Sequence, residues 1–245
     1  LKDHSTKLII KLIQSSKMKT LFVTLLFIGL SLGIPRQSKE AISSSARLYS
    51  ETGFHGRSTE IRDYVGDLDT LNFDDVSQSA VINGVWVFYE DVDYNKYNFG
   101  RRSFYGWGKN HQIPSFGQLN WAFSSIRYSG ANENMKYSTL NFYEESGFMG
   151  DEQYFYFDNP SLYHDNFGKS IILTGCQPWT LYEHTSYRGD HICIYPSSTQ
   201  NCEPGFYLEP QDFGHFVNKV SSIRMGCFSK KVFKGVGVPA NSTRI

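Results

Sequence analysis

The sequence predicts an all-β protein of two sandwiches, each built from two Greek-key units, and three observations predict it. A Tyr followed five residues later by a second aromatic recurs in step at Tyr49/Phe54, Tyr89/Tyr94, Tyr143/Phe148 and Tyr182/Tyr187, and Gly56, Gly150 and Gly189 stand two residues further on in three of these four. The starts fall 40, 54 and 39 residues apart, so the units form a pair of pairs, and a fixed period of this size marks stacked supersecondary units. Residues 116–128 align without a gap on 213–225, both carrying Ser-Ser-Ile-Arg, while 74–79 resembles 165–170; the unit order is A, B, A, B. Finally, 85–89, 153–157 and 191–195 are short β-branched and aromatic runs bounded by Gly, Asn, Asp and Pro, and no twelve-residue window after residue 33 carries a helical apolar stripe.

Taken in order, residues 1–17 read as upstream or fragment sequence, because the first plausible start is Met18 between two Lys. Residues 18–33, with an apolar run at 21–30 and small residues to Gly33, have the pattern of a secretory signal peptide. Ten apolar residues are too few for a membrane span, which needs about 20, so no transmembrane segment is expected in the mature protein. Five of the 24 Lys and Arg and one of the 24 Asp and Glu precede residue 34, which leaves a mature net charge of about −4 and nothing to attract nucleic acid. A linker over 34–46 leads to a first domain at 47–129; a second linker, 130–139, leads to a second domain at 140–227; a flexible tail is expected over 228–245. The 19 Phe and 16 Tyr supply apolar area for two cores.

Four strands with one long return connection make a Greek key, and two such units close a sandwich. The fold-back hairpin after each leading Tyr needs positive φ at its turn, which Gly adopts without steric cost. Lys96 stands where the second unit lacks that Gly, so Asn95 is expected to take the left-handed position. All four cysteines lie in the last unit, an even number that in an exported chain favours two disulfides. Three connectivities are open. The adjacency of first and last strands in a Greek key favours Cys176 with Cys227 and Cys193 with Cys202.

These features resemble the βγ-crystallin family, whose units carry the aromatic and Gly hairpin near the start and, near the end, a loop of two Asn/Asp residues, two variable residues, Ser/Thr and Ser. The resemblance spans residues 47–227 and looks like that of a secreted two-domain member. It implies a Ca²⁺ site shared by paired loops, with hard oxygen donors suited to that ion. Each loop keeps half of the pattern. Asp74 and Asp75 are followed by Gln78 at the fifth position, and Asp165 and Asn166 by Lys169; Ser124 is present where Trp121 replaces the second acid or amide, and Ser221 where Val217 replaces the first. The resemblance therefore implies one Ca²⁺ site per domain, from Asp74, Asp75 and Ser124 and from Asp165, Asn166 and Ser221, with Glu90 and Glu183 as further oxygens unless solvated. The competing reading is that these side chains only bond turn backbone.

Other constellations carry less. Arg188-Gly189-Asp190 contains the structural Gly of the fourth hairpin, and its likeness to an integrin tripeptide reads as coincidence; Asn241-Ser242-Thr243 is a glycosylation sequon in the tail. The seven His lack zinc spacing, and no nucleophile elbow, metalloprotease or phosphate-loop motif occurs, so no enzyme is expected. The expected role is a secreted structural protein of an extracellular matrix or coat, with Ca²⁺ and matrix components as partners. The alternative is a host-defence or glycan-recognition module, in which exposed rings among Tyr94, Tyr97, Phe99, Phe104, Tyr105 and Trp107 stack on sugars.

Overall fold

The leading Tyr of every unit meets its second aromatic edge to face, with ring centroids 5.9, 5.7, 5.5 and 5.7 Å apart along the chain, in a computed structural model that describes residues 43–214 and 216–237. The expected signal peptide at 18–33 and the sequon at Asn241 lie outside the described residues. The second aromatic itself adopts left-handed backbone, with φ of 68° at Phe54, 63° at Tyr94, 64° at Phe148 and 59° at Tyr187. A bulky residue is strained there. Its amide is held by the hydroxyl of a buried serine from the end of the same unit: Ser79, Ser125, Ser170 and Ser222 accept from these four amides at 2.9–3.0 Å. The same hydroxyls donate to the carbonyls of Glu51, Asp91, Glu145 and His184. One serine thus ties both ends of each fold-back hairpin. In the second unit Asn95 takes φ 60°, as Lys96 requires, and Lys96 stays right-handed.

In the first domain β1 (Ser45–Tyr49), β2 (Ser58–Ile61), β3 (Ser79–Tyr89) and β4 (Ser103–Ile113) run in the order β2-β1-β3-β4, and β5 (Ser125–Ser129) pairs with β3. β1 begins two residues inside the expected linker. The early half of β3 pairs with β1 and the late half with β5, so one eleven-residue strand serves two units. Alternation along β3 sends Ala80, Ile82, Trp86 and Phe88 into a core with Leu48, Phe104, Phe116, Phe123 and Ile126, while Val85, Val87 and Tyr89 belong to a separate cluster.

The second domain has two four-stranded sheets. β6 (Thr139–Tyr143), β7 (Glu152–Phe155), β8 (Ser170–Thr174) and β11 (Gly205–Tyr207) form one, in the order β11-β8-β6-β7. β9 (Trp179–His184), β10 (Arg188–Tyr195), β12 (Ser222–Met225) and β13 (Val232–Lys234) form the other, in the order β12-β9-β10-β13. β11 comes from the fourth unit yet completes the sheet of the third; this is the exchange that binds two Greek keys into one sandwich. Leu140, Ile171, Leu173, Trp179, Leu181, Ile192, Tyr207 and Ile223 fill the core between the sheets.

The disulfides correct the expected pairing: Cys176 joins Cys202 and Cys193 joins Cys227, with Cα atoms 4.2 and 5.3 Å apart. The strand exchange is the reason. β11 pairs with β8 in the register Gly205↔Leu173, Phe206↔Ile172, Tyr207↔Ile171, and extending that register by three residues sets Cys202 opposite Cys176. Strand adjacency within the fourth unit alone pointed elsewhere because its third strand lies in the other sheet.

The tail at 228–245, expected to be flexible, is ordered through residue 237, the last described. Residues 226–231 cross the outer face of β9: Thr180 Oγ1 donates to the carbonyl of Gly226 and accepts from the amide of Phe228, and Ser229 Oγ donates to the carbonyl of His191. β13 then adds to the edge of β10 in parallel, and Lys231 pairs with Asp190. The Cys193–Cys227 bond fixes this crossing. Asp190 and Gly189, the last two residues of the integrin-like tripeptide, are thereby committed to an ion pair and a left-handed turn, φ 79°.

The two sandwiches meet through Val85, Val87, Tyr89 and Tyr105 of the first and Tyr143, Phe148, Met149, Ile172 and Phe206 of the second, all buried. At the centre lies Arg127 of β5, 2% exposed, with its guanidinium 4.6–5.2 Å from the ring centroids of Tyr94, Tyr143 and Tyr89. Its Nε donates to the Tyr89 hydroxyl and its Nη2 to the carbonyl of Phe148, which also accepts from Tyr89. Burial opposes the charge, but the surrounding tyrosines and Glu152 of β7 more than offset this and hold the guanidinium's pKa above its ordinary value. The fourth unit carries the equivalent residue, Arg224, against Tyr187 at 5.5 Å and against Phe228 of the tail at 4.6 Å. Phe228 therefore occupies, on the second domain, the place that Tyr143 takes on the first.

Candidate functional site

The loops that end the units share one backbone form. Their second residues, Asp75, Trp121, Asn166 and Asn218, all have left-handed φ between 49° and 59°. Asp and Asn tolerate this conformation; Trp121 does so with 59% of its surface exposed. The fifth residue donates its amide, at 2.9 Å each time, to the carbonyl of the leading Tyr: Gln78 to Tyr49, Ser124 to Tyr89, Lys169 to Tyr143 and Ser221 to Tyr182. This places the fifth side chain beside the one or two residues that follow the Tyr in three of the units. Gln78 Nε2 donates to the Ser50 carbonyl at 2.6 Å, Ser221 Oγ to the Glu183 carbonyl at 2.7 Å, and Lys169 Nζ pairs with Glu145 at 2.5 Å. In the first and third units, an amide or ammonium donor thus fills the position where a cation would need oxygen.

Loops pair within each domain. The amide of Asp75 donates to the carbonyl of Phe123 at 3.1 Å, and that of Trp121 returns to Ser77 at 3.0 Å. In the second domain the amide of Asn166 donates to the carbonyl of Val220 at 3.1 Å. The structure therefore brings the backbone of Asp75 beside that of Ser124, and the backbone of Asn166 beside that of Ser221. Ser124 and Ser221 are 8% and 5% exposed, whereas Asp74, Asp75, Asp165 and Asn166 are exposed. None of these four acidic or amide side chains accepts a hydrogen bond from turn backbone among the described residues. By contrast, Asp67 caps its turn by accepting from the amide of Asp69.

Electrostatics separate the two sites. Partial burial raises the Asp75 carboxyl above its ordinary range, and the charges of Asp74 and Glu90 push it further while Arg101 opposes them. Two further carboxylates therefore act on Asp75 at the first site. Glu90 is not solvated as expected: its side chain is 9% exposed, accepts from Arg102 Nε at 2.9 Å and from the Arg102 amide at 2.6 Å, and makes an ion pair with Arg102 Nη2. The second site has one carboxylate, Asp165. Among the described residues no three His, Cys, Asp or Glu side chains gather as a metal centre by themselves. An ion held at either site would rely on hydroxyl, amide and backbone carbonyl oxygens, a donor set that Ca²⁺ accepts.

The six rings considered for sugar stacking do not share an exposed surface. Phe104 lies in the first core, Tyr105 in the contact between sandwiches, and Tyr94 and Trp107 pack against that contact; Tyr97 and Phe99 are the exposed ones, at 78% and 42%. Among the described residues no helix is long and apolar enough to cross a membrane. Sequence reasoning overlooked the four clamping serines and Arg127, although the sixth-position Ser common to all four loops and the twice-repeated Ser-Ser-Ile-Arg pointed to both.

A family model described as Beta/Gamma crystallin matches residues 45–128 and 139–225. Gamma-crystallin A of Mus musculus is 29% identical over 182 residues, covering 72% of this chain and 93% of the relative. Gamma-crystallin M1-2 of Aquarana catesbeiana is 28% identical over 183 residues with the same coverage. Among solved structures, geodin, a beta-gamma crystallin from Geodia cydonium, is 18% identical with a TM-score of 0.56, covering 74% of this chain and 98% of its own, which is a likeness of fold.

Proposed function

Because the chain belongs to the beta/gamma crystallin family, we propose that it is a non-enzymatic structural protein of an extracellular matrix or coat that binds Ca²⁺ through its paired loops. The carrying observation is the loop pairing. The Asp75 amide bonds the carbonyl before Ser124 and the Asn166 amide the carbonyl before Ser221, which supports sites from Asp74, Asp75 and Ser124 and from Asp165, Asn166 and Ser221, whose acidic and amide side chains are exposed and uncommitted to turn backbone. At the first site the charges of Asp74 and Glu90 act against that of Asp75, and a divalent cation would relieve this. The second site, with one carboxylate and with Ser221 donating to the Glu183 carbonyl, is the weaker. Two disulfides, with no free cysteine among the described residues, support an oxidising compartment. So does the signal-like segment at 18–33.

Calorimetric titration of the protein with Ca²⁺, paired with melting curves, tests the proposal. Two binding events are expected, with Asp75→Ala abolishing the tighter and Asp165→Ala the weaker, and melting temperature should rise with Ca²⁺ in the unmodified chain. Absence of both heat and thermal shift at millimolar Ca²⁺ would reject the metal reading and leave a scaffold.

A further inference from the structure

Apart from the paired loops, a pocket of about 260 Å³ opens between the sandwiches. Its walls are Asp63, Tyr64 and Tyr128 from the first domain, Gly130 just after it, and Tyr154 and Tyr156 from the second. Tyr64 and Tyr128 stand edge to face, 4.7 Å between centroids at 72°, and Tyr154 and Tyr156 do the same at 5.9 Å and 85°. Perpendicular rings make a box and not a flat platform. Its walls are four aromatic rings with a carboxylate at the rim, which suits a rounded cation better than a planar sugar ring.

The charge around the box is negative. Asp63 is exposed at its rim. The Tyr128 hydroxyl is pushed up to about 12, by burial first and then by Asp63, and Tyr156 is raised by burial and then by Glu133. Tyr64 donates its hydroxyl to Glu152 at 2.6 Å, and the other Glu152 oxygen is buried with no hydrogen-bond partner. Three carboxylates thus act on the box against the single guanidinium of Arg127. A quaternary ammonium is held by ring faces and the field of nearby carboxylates alone, since it donates no hydrogen bond.

We propose that this interdomain box binds the trimethylammonium group of a choline-type ligand, with the four tyrosine rings surrounding the cation and Asp63 at its rim. Both domains contribute walls, so the site exists only when they are docked. The box is separate from the metal loops, and its occupancy does not depend on Ca²⁺.

The test is titration of the full protein with choline chloride, followed by tyrosine fluorescence and by NMR, against 3,3-dimethyl-1-butanol, which has the same shape without charge. Choline should bind at least about tenfold more tightly than the neutral isostere, and Asp63→Asn and Tyr154→Ala should each weaken it about fivefold or more. Tyr154 is 57% exposed, so its variant should melt like the unmodified chain. Co-sedimentation with phosphatidylcholine vesicles identifies a lipid headgroup as the source, and binding of phosphocholine in solution without sedimentation identifies a soluble ligand. Equal affinity for choline and the neutral isostere, no response to choline at 50 mM beyond that to equal KCl (a ceiling of roughly 2 kcal/mol in standard free energy), or indifference to both substitutions would overturn the proposal.

Discussion

Arg127 Nη2 lies 2.8 Å from the carbonyl oxygen of Phe148, a hydrogen bond that crosses from the first sandwich into the fold-back hairpin of the second. The same guanidinium stacks on Tyr143 of that hairpin, so one side chain both bonds and packs across the boundary. Arg127→Ala should cost about 3 kcal/mol through the loss of buried charge-assisted hydrogen bonds and stacking. Denaturant unfolding followed by tryptophan fluorescence should then resolve into two transitions as the domains uncouple. A single transition at an unchanged midpoint would show that the contact is held by its apolar members alone.

The clamping serines supply the second prediction. Ser125→Ala or Ser170→Ala leaves a left-handed aromatic amide and a carbonyl without their partner, at a cost of about 2 kcal/mol each. Ser170→Ala should also weaken domain docking, because its hairpin carries Phe148. Chemical denaturation of the single variants measures both effects.

Non-reducing peptide mapping should recover Cys176 with Cys202 and Cys193 with Cys227. Removing the second bond with Cys193→Ser and Cys227→Ser should destabilise the protein by roughly 3–4 kcal/mol on the chain-entropy account, given the sequence separation of 34. Amide exchange should become faster at residues 227–234 before it changes in β1 or β6.

Alkaline pH should act through the buried tyrosines. Burial raises the Tyr89 and Tyr143 hydroxyls above their ordinary value, with Arg127 opposing it and Glu152 adding to it, and burial raises Tyr64 and Tyr207 as well. The folded state therefore keeps protons at these tyrosines that the unfolded chain gives up. Stability should be flat below about pH 10, the unfolded value, and fall above it by about 1.4 kcal/mol per pH unit for each of them. Tyr143→Phe should make the fall shallower by about 1.4 kcal/mol per pH unit, as read by urea midpoints between about pH 9 and 11.5.

Tandem repetition was legible in the sequence because hairpin chemistry is local: an aromatic five residues after Tyr, with a serine at the end of the unit, specifies a fold-back wherever it occurs. Loop pairing was legible only through the resemblance to the βγ-crystallin family, because it joins backbone of two units far apart in sequence. The cysteine connectivity was not, because it follows from β11 joining β8 in the neighbouring unit's sheet, a partnership that no residue within the fourth unit announces. Neither was the order of the tail: Phe228 and Val232 are unremarkable until Arg224 and the edge of β10 give them somewhere to lie. For the six aromatic residues at 94–107 the sequence left sugar stacking open beside core or interdomain contact, because sequence distance hides the second domain that covers Tyr105.

A module whose Arg–Tyr seat accepts the hairpin of the following module has, by its logic, no natural stopping point. Were the last seat bare, the next molecule's hairpin would suit it as well as an internal one, and head-to-tail contacts of that kind extend into fibres when they do not close. Phe228, tethered by a covalent bond one residue away, lies over the Arg224 guanidinium, so that seat is capped from within the molecule and turned away from such growth.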